Sequence, residues 1–110
     1  MTNSAPPDRD RLRAISPKLI DYSTQVLYGE VWEDPALSKR DRALATVAAL
    51  LGASQPQFLK AHMARALGHG VTREELGALI THLAFYVGWP SANAAGLIAL
   101  EVLEELKPIA

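Results

Sequence analysis

Glu30 and His62 are the two ionisable residues whose positions in the sequence carry the most chemistry. With successive helical residues about 100° apart, Glu30 falls in a stripe with Ser23, Val26 and Leu27, and His62 falls between Phe58 and Ala66. Both side chains are thus expected on faces destined for a core. A carboxylate is rarely buried unless paired, because its desolvation costs several kcal/mol. An imidazole is the least costly partner for it there, and a joined pair would do general acid/base chemistry. A plainer reading stands beside this one. A single core-facing histidine is commonly a satisfied packing residue, and Glu30 leaves the core if Gly29 ends its helix early.

A second constellation is Ser38-Lys39-Arg40-Asp41-Arg42, three cations on what reads as a helix's first turn, where the macrodipole disfavours them. An anion held by the free N–H groups and by Arg42 would relieve that conflict. The alternative is a solvated turn partly neutralised by Asp41, Asp34 and Glu33. His69, between two glycines, reads as a residue favoured by a helix C-terminus. His82 either lines a pocket or faces an interface.

Other chemistries are excluded. The chain has no cysteine, which removes disulfides, thiolate metal sites and Cys-based redox or nucleophilic mechanisms. His62, His69 and His82 stand 7 and 13 residues apart, without the spacing of a zinc site. There is no glycine-rich phosphate loop and no Gly-x-Ser-x-Gly elbow. No metal and no cofactor are expected. Lys and Arg total 11 against 12 Asp and Glu, a net charge of −1, so no overall field draws the chain to nucleic acid or to an anionic membrane. The charged N-terminus and the lack of a long apolar run argue against a signal peptide or a membrane span, and a cytoplasmic location is expected.

The elements that must position these residues read as helices throughout. At 110 residues, 49% of them hydrophobic and 21% charged, the chain is expected to form one soluble core. Residues 1–14 read as a flexible lead-in and 15–110 as a single domain. Ser16-Pro17 opens a first helix over about 16–32. Ser38 caps a second that ends at Gly52, and Pro56 opens a third that closes at Gly68-His69-Gly70. Thr72-x-x-Glu75 is a capping box, followed by Leu76, Leu79, Ile80, Leu83, Ala84 and Val87 at helical spacing. Gly88-Trp89-Pro90 ends that helix, and a last one runs over about 90–107. No segment alternates with the period of a strand, so the expected class is all-α, a compact bundle of about five to six helices. Ala78, Thr81, His82 and Phe85 give the fourth helix a second apolar face. Ala92, Ala95, Gly96 and Ala99 make the last helix small-sided. Both features predict a homo-oligomer.

Gly29-Glu-Val-Trp32, Leu37-Ser-Lys-Arg-Asp-Arg42, Thr46-Val-Ala-Ala49, His62, Gly70-Val-Thr-x-Glu-Glu75 and Ile80-Thr-His-Leu-Ala-Phe-Tyr-Val-Gly-Trp-Pro90 together resemble the carboxymuconolactone decarboxylase family, in the family's order over about residues 19–105. That family shares an alkylhydroperoxidase-like helical fold with relatives carrying Cys-x-x-Cys-x-x-x-His. Here the register reads Gln55-x-x-Phe58-x-x-x-His62, so the histidine is kept and both sulfurs are absent. Thiol peroxidase chemistry therefore does not carry over. The resemblance implies a pocket holding Glu30 and His62, Arg42 as the family's arginine, and trimers or hexamers.

It also implies a mechanism. In the family's named reaction, 4-carboxymuconolactone loses CO2 from a carbon conjugated to the lactone carbonyl, and the electrons flow into that carbonyl as a dienolate. The enzyme must stabilise an oxyanion and deliver one proton to carbon. His62 as imidazolium would deliver it, with Glu30 raising its pKa, and Arg42 would hold a substrate carboxylate. Trp32, Tyr86 and Trp89 are candidate pocket walls. The implied partner is a small carboxylate or lactone. Two other readings stay open: another lyase or isomerase using the same pair, and a non-catalytic helical oligomer.

Overall fold

The computed structural model describes residues 8–106, and among them the only regular elements are helices. They form two compact units that divide between Leu37 and Ser38.

The first unit contains α1 (Asp8–Arg11), a 3-10 turn (Leu12–Ala14), α2 (Pro17–Tyr22) and a π-helix (Ser23–Val31) continuous with α2. Of the lead-in expected over residues 1–14, residues 1–7 lie outside the described chain, and the remainder is helical. Pro17 starts α2 as expected of a residue that needs no N–H donor there, but the Ser16 side chain makes no capping bond. The predicted first helix is present in extent but changes winding part-way. Trp32 N donates to Leu27 O at 2.9 Å, the i→i+5 bond of a π turn. Arg13 and Asp21 form an ion pair at 3.1 Å, and Arg9 donates to the Thr24 hydroxyl. Ile20 and Trp32 are buried, and the Trp32 ring stacks on Tyr28 with centroids 6.0 Å apart.

The second unit is built from α3 (Lys39–Gly52), α4 (Pro56–Gly68), α5 (Arg73–Val87) and α6 (Trp89–Glu105). Each starts where its sequence signal predicts. The Ser38 hydroxyl accepts from Asp41 N at 3.0 Å, and Pro56 opens α4. At α5 both halves of the capping box form: Glu75 N donates to Thr72 Oγ1 at 3.0 Å and Thr72 N to Glu75 Oε1 at 2.9 Å. Gly88, at φ +100°, turns the chain directly from α5 into α6, a conformation costly for any residue with a Cβ.

In this unit α4 packs on α3 and α6, and α5 packs on α6 and α3. The core takes Val47 and Leu51 from α3, Leu59 and Met63 from α4, Leu76 from α5 and Val102 from α6, each almost completely buried. Full burial of a side chain of this size contributes about 1.5–3 kcal/mol. The small residues Ala92, Ala95 and Ala99 of α6 are buried within the protomer, so the small face serves its own core. The apolar surface left outside includes Phe58 on α4, Phe85 on the predicted second face of α5 with Tyr86 beside it, and Trp89, Leu97 and Leu100 on α6.

Candidate active site

His62 sits mid-way along α4, one residue before Met63, which is completely buried. That neighbour turns the imidazole toward the margin of the core, where the residue is half-buried. Its Nδ1 is nonetheless enclosed and has no hydrogen-bond partner among the described residues. An enclosed ring nitrogen without a partner is a destabilising feature that folding alone does not explain. Burial pushes the His62 pKa below its ordinary value of 6.5, and the positive charge of Arg65 pushes it in the same direction. At neutral pH the ring is therefore uncharged. This differs from the imidazolium expected above, because in the free protein both influences favour the neutral ring.

Arg65 is the residue that sequence reasoning missed. Its signal is in the spacing, because residues i and i+3 are neighbours on a helix surface.

At that start, Arg42 is half-buried with its Nε enclosed, and its carbonyl accepts from the Thr46 hydroxyl at 2.7 Å. Arg40 is committed elsewhere, to Glu75 on α5 and to Asp41 at 3.3 Å. The Ser38 hydroxyl is likewise occupied by Asp41 N. Two of the groups in the expected anion site thus have internal partners, and Arg42 lies on the helix that packs against α4.

His82, Tyr86 and Trp89 form an exposed aromatic face, not an enclosed wall. The His82 and Tyr86 rings lie 4.9 Å apart, and Phe85 meets Trp89 edge-on at 5.1 Å. Tyr86 is 75% exposed and Trp89 54%. Of the first unit's candidates, Trp32 is buried and Glu30 is exposed. The predicted core stripe of that helix is open as well, since Val26 and Leu27 are each more than 40% exposed. A 100° wheel misassigns the face once the winding becomes π.

A cavity of about 280 Å³ lies at the start of α4, lined in part by Leu51, Gln55, Leu59, Pro90 and Ser91, and is roomy enough for a small acid. Among the described residues no three of His, Asp and Glu gather as metal ligands would.

Residues 17–101 match the carboxymuconolactone decarboxylase family. The chain belongs to that family. Among curated proteins it is 37% identical over 86 residues to the 4-carboxymuconolactone decarboxylase of Acinetobacter baylyi, a match covering 78% of this chain and 64% of the relative. It is 29% identical over 83 residues to the nitrosuccinic acid decarboxylase of Metarhizium robertsii, covering 76% of this chain and 58% of that protein. The chain thus spans about three-fifths of the length of the curated relatives it matches.

Proposed function

We propose that this family member is a cofactor-independent decarboxylase of a small unsaturated lactone acid or related carbonyl acid. The observation that carries the reading is His62: a neutral imidazole with an enclosed, unpartnered nitrogen, held on a well-packed helix inside the family-matched stretch. The names of the two relatives support the class. One acts on a lactone acid and the other on a nitro diacid. In each, the electrons left by CO2 have an electron-withdrawing neighbour to enter, so the protein needs to supply only oxyanion stabilisation and one proton.

In this reading Arg42 and the apolar surroundings bind and desolvate the carboxylate. CO2 departs as the C–C bond electrons pass into the conjugated carbonyl, and His62, having taken a proton from solvent, gives that proton to carbon. The family resemblance supports Glu30 as a second acid/base group and Trp32, His82, Tyr86 and Trp89 as substrate-binding residues. The exposed aromatic face of α5 needs a cover to act as a wall. The exposed Phe85, Leu97 and Leu100 support a homo-oligomer, trimeric or hexameric, as that cover. The family match runs across both units, which supports treating residues 15–110 as one domain. Among the described residues no helix is long and apolar enough to cross a membrane, and the cytoplasm is the proposed location.

The test is turnover of 4-carboxymuconolactone by purified protein, followed by CO2 release. His62→Gln should leave the circular dichroism spectrum intact and lower the rate by roughly 10²–10⁴-fold, the usual worth of a positioned general acid. Turnover of nitrosuccinic acid in place of the lactone would move the substrate and keep the chemistry. Turnover of neither, by protein that is folded and oligomeric, would favour the non-catalytic reading.

A further inference from the structure

The reaction proposed above needs hydrogen-bond donors for the oxygen on which negative charge collects as CO2 leaves. A polar cluster in the second unit has the form of such a donor set, and it begins at a turn that breaks a local rule. α3 ends in a Schellman motif, with Gln55 N donating to Leu50 O at 2.9 Å and Ser54 N to Leu51 O at 3.2 Å. The motif needs one left-handed residue, and glycine is its usual occupant. Here it is Ser54, at φ +54°, the one non-glycine residue with a positive φ among the described residues. Serine is costly there because its Cβ crowds the backbone. No packing offsets that cost, since Ser54 is exposed. Strain kept at a single position points to a use for its side chain.

Ser54 and Ser91, the latter on α6, both line the cavity of about 280 Å³, and their hydroxyl oxygens lie 3.5 Å apart. That is well beyond the roughly 2.7–2.8 Å of a good O–H···O bond, so the two hydroxyls do not satisfy each other. A single acceptor atom fits between them, about 2.8 Å from each. Gln55 lines the same cavity. Its amide oxygen is taken by Gln57 Nε2 at 2.8 Å, which leaves its amide N–H groups to donate. Leu51 and Leu59 supply apolar wall, and among the described residues no charged side chain lines the cavity. We infer that this cavity binds the lactone or ketone carbonyl of the substrate, with the Ser54 and Ser91 hydroxyls donating to its oxygen and the Gln55 amide as a further donor. The inference rests on the decarboxylase reading for the reaction and adds to it the groups that hold the carbonyl end.

The ligand class follows from the lining. A carboxylate would bring a full charge to a cavity that offers no cation, whereas a neutral carbonyl needs only donors. As the dienolate forms, that oxygen gains negative charge, and hydrogen bonds to a charged acceptor are roughly twice as strong as neutral ones. The same donors thus hold the transition state more tightly than the substrate. Leu59, on the cavity wall, is three residues before His62, and helical side chains lean toward the N-terminus of their helix. A substrate anchored at the serines therefore extends along the side of α4 that carries the imidazole.

Amide NMR shifts test this, with γ-butyrolactone as a stable lactone probe and 4-hydroxybutyrate, its ring-opened acid, as the charged counterpart. The lactone should shift the Ser54, Gln55 and Ser91 amides saturably, and 4-hydroxybutyrate should not. Ser91→Ala should weaken lactone binding by about 3- to 10-fold, the net worth of one hydrogen bond, and Ser91→Thr should retain it. Ser54→Gly should weaken binding to a similar degree while raising Tm, because glycine relieves the left-handed turn. Lactone shifts that avoid these residues overturn the inference, as does equal binding of the ring-opened acid, or full lactone affinity in both serine variants. A fall in Tm in Ser54→Gly with unchanged lactone affinity overturns it too, and makes the serine pair a structural pin between the turn and α6. The Ser91 comparison holds even if Ser54→Gly fails to fold. None of these measurements needs turnover. Lactone bound at the serines by a protein inactive on both decarboxylase substrates would sink the proposed reaction alone, and turnover with a lactone affinity indifferent to both serines would sink this inference alone.

Discussion

The helix that carries Glu30 and the helix that carries His62 looked alike in sequence, and the structure treats them differently. On α4 the residues at α-helical spacing, Leu59, Met63 and Ala66, are buried in order, and His62 falls beside them at the margin of the core. Over Ser23–Val31 the chain winds as a π-helix, and the stripe expected to be apolar and inward leaves Val26, Leu27 and Glu30 exposed. A face assignment is only as good as the hydrogen-bond period behind it. One residue per turn of extra winding moves a side chain out of its predicted row, and π segments of this kind occur often at functional positions.

The largest expected difference between the two helices is in packing. Met63→Ala removes a side chain with no exposure from the centre of the second unit and should cost about 2–5 kcal/mol in urea unfolding. Leu27→Ala, in the π segment, removes a side chain 41% exposed and should cost well under half as much. Equal costs would break the comparison, because the π segment would then bury its stripe in solution, through the assembled oligomer.

A smaller difference is expected at the helix starts. The Thr72 hydroxyl accepts a bond from Glu75 N, whereas the Ser16 side chain makes no capping bond although it occupies the same kind of position. Thr72→Ala should destabilise by about 1 kcal/mol, and Ser16→Ala by a small fraction of that. A similar loss at both sites would mean that Ser16 caps its helix in solution.

These contrasts explain what the sequence could disclose. Starts and stops in the second unit were legible because Ser38, Pro56, Thr72-x-x-Glu75 and Gly88 act through local backbone chemistry that depends on no distant contact. The all-helical class followed from the same signals together with the absence of alternation. The winding of residues 23–31 was not legible, since no residue type marks a π turn as proline marks a helix start. At the candidate site, His62 was found by its place among apolar neighbours. Its resting charge was not, because that depends on how deeply Nδ1 is enclosed and on the cation of Arg65. The aromatic residues Tyr86 and Trp89 were legible as apolar but not as exposed, because periodicity cannot tell an inner face from one that awaits a partner.

The finest discrimination between the two windings comes from their glycines. Gly77, within α5, has open space where a Cβ would stand, so Gly77→Ala should stabilise by up to about 1 kcal/mol through the lower backbone entropy of the unfolded chain. Gly29 lies in the π segment, and a Cβ there would come within 3.1 Å of the Thr24 carbonyl oxygen, five residues earlier and on the rigid backbone. Gly29→Ala should therefore forfeit most of that gain, because the carbonyl must tilt away and loosen the turn that precedes Glu30. Thermal unfolding of both variants at equal protein concentration makes the comparison, and the alanine at 77 should give the higher Tm. If both alanines stabilise equally, residues 23–31 accommodate a Cβ without strain and wind as an ordinary α-helix in solution. That result would return Glu30 to the face on which its spacing first placed it.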